Sequence, residues 1–360
     1  MRRHVFALAA AVCTFVVAAS SHACTRTLYV GQDNTVITGR NMDWSEDMAS
    51  NMWIFPAGIE RDGNAGPNSP KWTSRYGSVI TAGYDIGSVD GINEKGLVMN
   101  ALYLGETDFG KPDPKRPHMA ISLWGQYILD NFARVDDAVK ALAKEPFQII
   151  APPLPNGKPL TIHMSISDAS GDSAIFEYID GKLVIHHGRQ YKVMTNSPIY
   201  DKQLALYEYW EGIGGLKFLP GTNRAADRFA RASFLLDAVP KQPDPNYING
   251  VPNQDYQFQA VAEVMSVQRA VSVPLGISTP DQPNLSSTIW HTVADQKNLT
   301  YYFDSATTPN TFWVDLHKVD LKPGASVKKL TMANGRVYAG EVSAQFVETP
   351  SFKFMPAPAP

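Results

Sequence analysis

ACTRTLYVGQDNTVITGRNMDW, residues 23–44, holds Cys24, one of only two cysteines in a chain of 360 residues. The runs TRTLYVG and TVITGRNMDW are rich in β-branched and aromatic residues. Gln32-Asp33-Asn34 between them tolerates turn angles, so the stretch reads as a β-hairpin. With Asp33-Asn34 as a two-residue loop, Cys24 lies opposite Asp43. A four-residue loop, Gly31 to Asn34, keeps Asp43 on the Cys24 face, because strand faces repeat every two residues. Both registers aim a carboxylate at Cys24 and turn Arg40 to the other face, unless a bulge near Gly39 re-aims it.

Upstream, Arg2, Arg3 and His4 form a basic start, Val5 to Ala19 an apolar run, and Ser21-His22-Ala23 a small-x-small cleavage signal. This pattern is that of a secretory leader, residues 1–23, and the run falls short of the roughly 20 residues a spanning helix needs. Cleavage after Ala23 would discard Cys13 and leave Cys24 as the first residue and sole thiol of an exported chain with no membrane span. A lipid anchor on Cys24 is the alternative. The lipid signal normally has Leu three residues before the cysteine, where this chain has Ser21.

An N-terminal cysteine carries a thiol and a free α-amino group on one residue. Their reference pKa values are about 8.5 and about 7.7 to 8, so the amine can take the thiol proton near neutral pH without a histidine. The same group can return that proton to a departing amine. An inert leftover cysteine at a cleavage site is the competing reading.

The composition, 44% hydrophobic and 19% charged with a net charge of -3, is that of an ordinary globular chain and gives no reason to expect nucleic acid or an anionic membrane as partner. Further strands are expected at 78–84, 97–104, 160–167, 173–178, 182–186, 191–194, 288–293, 299–303 and 311–315. Helices are expected at 118–132, 136–144, 202–209, 224–236 and 258–269, with Asp136 and Asn223 as N-caps. Antiparallel strands followed by helix pairs argue for an α+β domain with layered sheets, here residues 24–345. The Pro-rich end, 346–360, reads as a loosely ordered tail or a strap laid over a neighbouring subunit. There is no G-x-S-x-G, no H-E-x-x-H and no phosphate-binding glycine loop, and the histidine spacing matches no usual metal-ligand pattern.

In order along the chain stand Cys24, GRNMDW at 39–44, VDGINEKGL at 89–97, TNSP at 195–198 and DRFARASF at 227–234. Together they resemble the choloylglycine hydrolase and penicillin V acylase group of N-terminal-nucleophile hydrolases, over 24 to about 316. The resemblance implies an αββα sandwich that hydrolyses a non-peptide amide without metal or organic cofactor. It also implies a catalytic set: Cys24 as nucleophile, Arg40 and Asp43 beside its thiol and amine, Asn196 as oxyanion or amine partner, and Arg228 as the distal arginine that orders the site.

Tyr103 stands where bile-salt hydrolases have Asn, as in penicillin V acylases, and removes a side-chain amide donor from the expected oxyanion hole. With Trp44 it is expected to line an aromatic acyl site. The substrate is therefore a small amide. Penicillin V and acyl-homoserine lactones, the latter implying quorum quenching, are favoured over bile salts, in a periplasmic homo-oligomer, tetramer or dimer. A lipid-anchored binding protein and a structural exported β-protein are the rivals from other classes. Residue by residue, plainer readings also exist: Arg40 and Asp43 as a surface ion pair, Asn196 as a turn residue, Arg228 with Arg224 and Arg231 as a solvated basic stripe, and Tyr103 as core.

Overall fold

The hairpin forms, but with a turn of intermediate length. In the computed structural model, which describes residues 24–278 and 286–358, β1 (Thr25–Val30) pairs antiparallel with β2 (Val36–Trp44). The Gly31 N–H donates to the Thr35 carbonyl at 2.8 Å, and Gln32–Asn34 make the tip as a 3-10 turn in which Asp33 and Asn34 take φ of 55 and 57°. A three-residue loop sets Thr25 opposite Asn41 and Arg26 opposite Arg40. Both expected registers are thereby corrected: Arg40 shares a face with Arg26 and Cys24 with no bulge at Gly39, and Asp43 belongs to the other face. The expected leader, 1–23, lies outside the described residues.

Around this hairpin the described residues build two large sheets. The first runs Val193–Met194, β1, β2, Ser287–Asp295, Thr300–Ser305, Thr311–Asp315, Gly340–Glu341, antiparallel except for its last pair. The second has nine antiparallel strands, ordered Lys182–His187, Ser173–Ile179, Ile162–Ser167, Val98–Tyr103, Gly87–Asn93, Ser78–Gly83, Met52–Phe55, Lys328–Leu330, Val347–Glu348. Helices α1 (Ile121–Asn131) and α2 (Val135–Leu142) cover the second sheet. On the other side α4 (Ala225–Ala238) and α5 (Tyr256–Ala270) pack on β1 and β2, with α3 (Tyr200–Ile213) against α4. The chain is an αββα sandwich of the α+β class, as expected.

Alternation along the strands explains the layers. Val98 and Leu102 join the apolar core shared with the first sheet, whereas Met99 packs with Trp124 of α1. Buried polar ties also cross between the sheets. Thr38 Oγ1 lies 2.8 Å from Ser167 Oγ and donates to Gln296 Oε1 at 2.7 Å. A hydroxyl in an apolar layer costs free energy unless partnered, so these pairs fix how the sheets register on one another.

Several local expectations are corrected. His118–Ala120 form a short strand parallel to Gln148–Ile150 before α1 begins. Asp136 lies inside the first turn of α2, and Asp168 instead caps from a distance, its Oδ2 accepting the Val135 N–H at 2.8 Å. Asn223 does not cap α4; Thr222 Oγ1 accepts the Arg224 N–H at 3.2 Å. Within the described residues the C-terminal segment is not loose, since Phe352 and Phe354 are buried against Trp53 and Phe55 of the second sheet.

Candidate active site

Arg40 extends from β2 into the layer between the sheets. Its Nη2 donates to the Ala101 carbonyl at 2.7 Å, its Nε lies 4.0 Å from Asp90 Oδ2, and its guanidinium stacks 4.7 Å from the Trp290 ring centre. Asp90 is held rigidly, accepting from Tyr301 Oη at 2.5 Å, Thr292 Oγ1 at 3.1 Å and Asn100 Nδ2 at 2.7 Å. Its position depends on a bulge. Thr81 pairs with Asp90 and Ala82 with Ser88, so Val89 is the extra residue and the strand reverses which side chains face α1. Sequence reasoning gave Asp90 no role, although it lies inside the quoted VDGINEKGL. The carboxylate itself was visible in the motif, but the Gly, Asp and Asn around it hid the buried strand that carries it.

On the helix side of the same sheet, Arg228 of α4 is fully buried and gathers the start of β1. Its Nη1 donates to the Cys24 carbonyl at 2.6 Å and to Thr25 Oγ1 at 2.5 Å; its Nη2 donates to Asn196 Oδ1 at 2.9 Å; its Nε donates to the Asn223 carbonyl at 3.0 Å. The solvated-stripe reading fails for Arg228, while Arg224 is exposed and Arg231 half-buried. Asn196 Oδ1 also accepts the Cys24 N–H at 2.5 Å, and Asn196 Nδ2 donates to the Tyr103 carbonyl at 2.6 Å. Asn196 is thus committed to the Cys24 nitrogen. A buried His163–Glu177 pair, 2.9 Å apart, braces this segment, because His163 Nε2 bonds the Thr195 carbonyl at 2.9 Å.

Asp43 is buried on that helix side, not on the surface. Thr288 Oγ1 donates to its Oδ1 at 2.5 Å, Arg228 Nη1 stands 3.7 Å from Oδ2, and Oδ2 has no hydrogen-bond partner. Burial pushes its carboxyl up to about 6 against the pull of Arg228 and the Thr288 hydroxyl. Burial likewise raises the Cys24 thiol, and the charge of Arg40 is the largest influence opposing it. Cys24 Sγ approaches the Asp43 backbone carbonyl at 3.8 Å. Thus Cys24, Arg40, Asp43, Asn196 and Arg228 come together, from two faces of one sheet.

The thiol opens on an apolar pocket of about 80 Å³, whose walls include Cys24, Arg40, Met42, Trp44, Ala101 and Tyr103. Trp44 and Tyr103 meet at 6.2 Å between ring centres, tilted by 60°, so the expected aromatic wall is present. Trp44 is oriented by Tyr84, whose hydroxyl accepts from Trp44 Nε1 at 2.7 Å and donates to Glu46 Oε1 at 2.5 Å. Tyr84 has φ of 52°, unusual for a bulky residue and part of the turn between Ser78–Gly83 and Gly87–Asn93. Sequence reasoning did not single out Tyr84.

Among the described residues no group of three or more His, Cys, Asp and Glu side chains is arranged to hold a metal ion, and no helix is long and apolar enough to cross a membrane.

The family described as linear amide C-N hydrolases, choloylglycine hydrolase family, matches residues 24–332. The chain is 48% identical over 353 residues to a penicillin V acylase of Pectobacterium atrosepticum, covering 93% of both chains. It is 26% identical over 246 residues to a bile salt hydrolase/transferase of Clostridium perfringens, covering 61% of this chain and 73% of that one. The solved penicillin V acylase from Agrobacterium tumefaciens superposes with a TM-score of 0.84 at 53% identity, over 92% of this chain and 100% of the other. A variant of the conjugated bile acid hydrolase from Clostridium perfringens, at 22% identity and a TM-score of 0.71 over 88% and 99% of the chains, shares the fold.

Proposed function

From its membership of the choloylglycine hydrolase family of linear amide C-N hydrolases, we propose that this chain is an exported penicillin V acylase-like amidase using Cys24 as an N-terminal nucleophile. One observation carries the reading: the Cys24 thiol lines an apolar pocket while its own nitrogen is bonded to Asn196, which Arg228 also holds. Removal of residues 1–23 on export to the periplasm turns that nitrogen into an amine. The partnerless Oδ2 of the buried Asp43 supports a cation arising nearby, since an ionised carboxylate without a partner is costly to bury.

The neutral amine takes the thiol proton as sulfur attacks the amide carbonyl. The tetrahedral intermediate then expels the amine half of the substrate, which receives that proton. This leaves a thioester on Cys24. Water, its proton accepted by the same amine, hydrolyses the thioester and restores the thiol. Arg40 favours the thiolate by charge, and Asn196 orients the amine. One N–H of Asn196 Nδ2 goes to the Tyr103 carbonyl; its second N–H, backbone N–H groups or the Tyr103 phenol serve the oxyanion.

For substrate, the Trp44–Tyr103 wall suits a phenoxyacetyl group or a flexible acyl chain better than a rigid steroid. Penicillin V is the reference substrate, acyl-homoserine lactones the natural counterpart, and bile salts the poorer class. The test is kcat/KM of the processed enzyme on penicillin V, glycocholate and a long-chain acyl-homoserine lactone, beside Cys24→Ser and a form with one extra residue before Cys24. Activity lost in both altered forms and at least about tenfold weaker on glycocholate is expected. Full activity with the extra residue would overturn the nucleophile, and glycocholate as best substrate would overturn the pocket argument.

A further inference from the structure

One wall residue of the pocket, Met355, comes from a part of the chain that the family match, ending at residue 332, does not include. Cys24, Arg40 and Ala101 enter from facing strands of the two sheets. Ile121 and Ser122, at the start of α1, and Met355 of the C-terminal segment enter from the outer side of the second sheet. The turn at Tyr84–Gly87 lies between these groups, and its close approach to α1 is steric: a Cβ on Gly87 would come within 3.2 Å of the Ser122 Cα.

The segment is firmly seated. It leaves Val347–Glu348 at the sheet edge and drops Phe352 onto Trp53, with ring centres 4.8 Å apart and edge to face. Phe354 follows, 4.6 Å from Phe352, with the Arg61 guanidinium 5.2 Å from its ring centre. Met355 is then pinned on both sides of its backbone. Its N–H donates to the Ile86 carbonyl at 2.8 Å, and its carbonyl accepts from Ser122 Oγ at 2.7 Å. The Ala357 N–H closes the strap on the Asn64 carbonyl at 2.8 Å. With the backbone fixed at three points, the Met355 side chain has a fixed origin, and Met355 lines the cavity that Cys24 also lines.

We infer that the C-terminal strap is a specificity-determining part of this enzyme and that Met355 sets the length and bulk of acyl group the pocket accepts. The inference rests on the amidase reading and adds to it the element that reads the acyl half. An apolar wall selects an acyl chain through the area it buries. A thioether with three rotatable bonds adapts to more than one shape, so the native enzyme takes both an aryloxyacetyl group and straight chains. Replacement by a rigid, larger side chain shortens the site; replacement by a smaller one deepens it.

The experiment measures kcat/KM of the processed enzyme and of Met355→Trp and Met355→Ala on penicillin V and on N-acyl-homoserine lactones of increasing chain length. Met355→Trp is expected to lower the ratio of long-chain to short-chain kcat/KM by about tenfold, and Met355→Ala to raise it several-fold, in line with what one or two methylenes in an apolar pocket decide. Thermal unfolding of each variant confirms that the fold is kept. Because Met355 is half-exposed, both substitutions are compatible with folding. An unchanged chain-length profile in both folded variants, with the native enzyme active, overturns the role of the strap alone. A native enzyme that hydrolyses none of these amides overturns the amidase reading and the strap's role with it.

Discussion

Arg228 Nη1 and Asp43 Oδ2 stand 3.7 Å apart with no solvent on either side chain, close enough for charge to act and too far for a hydrogen bond. The carboxylate is therefore buried with its charge only partly compensated, and that sets a pH dependence. Burial holds its carboxyl up at about 6, against an ordinary value of 3.8. Between those values the folded chain holds a proton that the unfolded chain has released. The contribution is full below the unfolded value and lost as pH rises through the folded one. Urea unfolding of Asp43→Asn, which never ionises, should lack this decline, worth up to roughly 3 kcal/mol. Parallel stability–pH curves for the two proteins would contradict it.

Arg40 is the charge best placed to favour the Cys24 thiolate, acting against burial, which is the largest influence on that thiol. In Arg40→Met the pH midpoint for alkylation of Cys24 by iodoacetamide should move upward, and kcat/KM should fall by at least about tenfold. The substitution also leaves the buried Asp90 carboxylate without its cation, so the midpoint is read on protein shown by thermal unfolding to be folded. An unmoved alkylation midpoint would remove Arg40 from the chemistry.

Arg228 donates to Cys24, Thr25, Asn196 and Asn223 from within the protein. Arg228→Met removes all four of these donations and the cation beside the Asp43 carboxylate. The expected loss is about 3–5 kcal/mol, seen as a lower urea midpoint at constant m. A loss below about 1 kcal/mol would mean that water replaces the guanidinium.

Tyr84 acts on Trp44 without lining up any reacting atom. Tyr84→Phe removes the acceptor for Trp44 Nε1 and the donor to Glu46 while keeping the ring. KM for penicillin V should rise a few-fold with kcat little changed, the pattern of an interaction felt equally in ground and transition states. A fall in kcat alone would place Tyr84 in the chemistry instead.

Much of this arrangement was legible in the residues. Strands such as 311–315 follow from β-branched and aromatic runs, and the five helices from apolar periodicity. Cys24, Arg40, Asp43, Asn196 and Arg228 were each named, yet their sides were not. Face assignment depends on turn length, and a 3-10 turn at Gln32–Asn34 falls between the two lengths that Asp33-Asn34 suggests. The strand Gly87–Asn93 was hidden because GSVDGIN, with its Gly, Asp and Asn, looks like a turn. Those residues are there for a bulge and for Asp90 rather than for chain reversal. Burial of Arg228 was invisible locally, since its partners lie 204, 203 and 32 positions away. The packing of Phe352 and Phe354 had the same long-range origin.

The tip of the first hairpin, Gln32 to Asn34, is exposed, and no residue of it reaches the pocket. By the usual signs it is constrained only where Asp33 and Asn34 take positive φ, which favours Asn, Asp or Gly. Its length is another matter. One residue gained or lost there would exchange the two faces of β2 relative to β1, sending Arg40 among the helices and Asp43 toward the substrate. The demands of catalysis therefore reach a surface turn through arithmetic: what the tip must keep is its count of three residues.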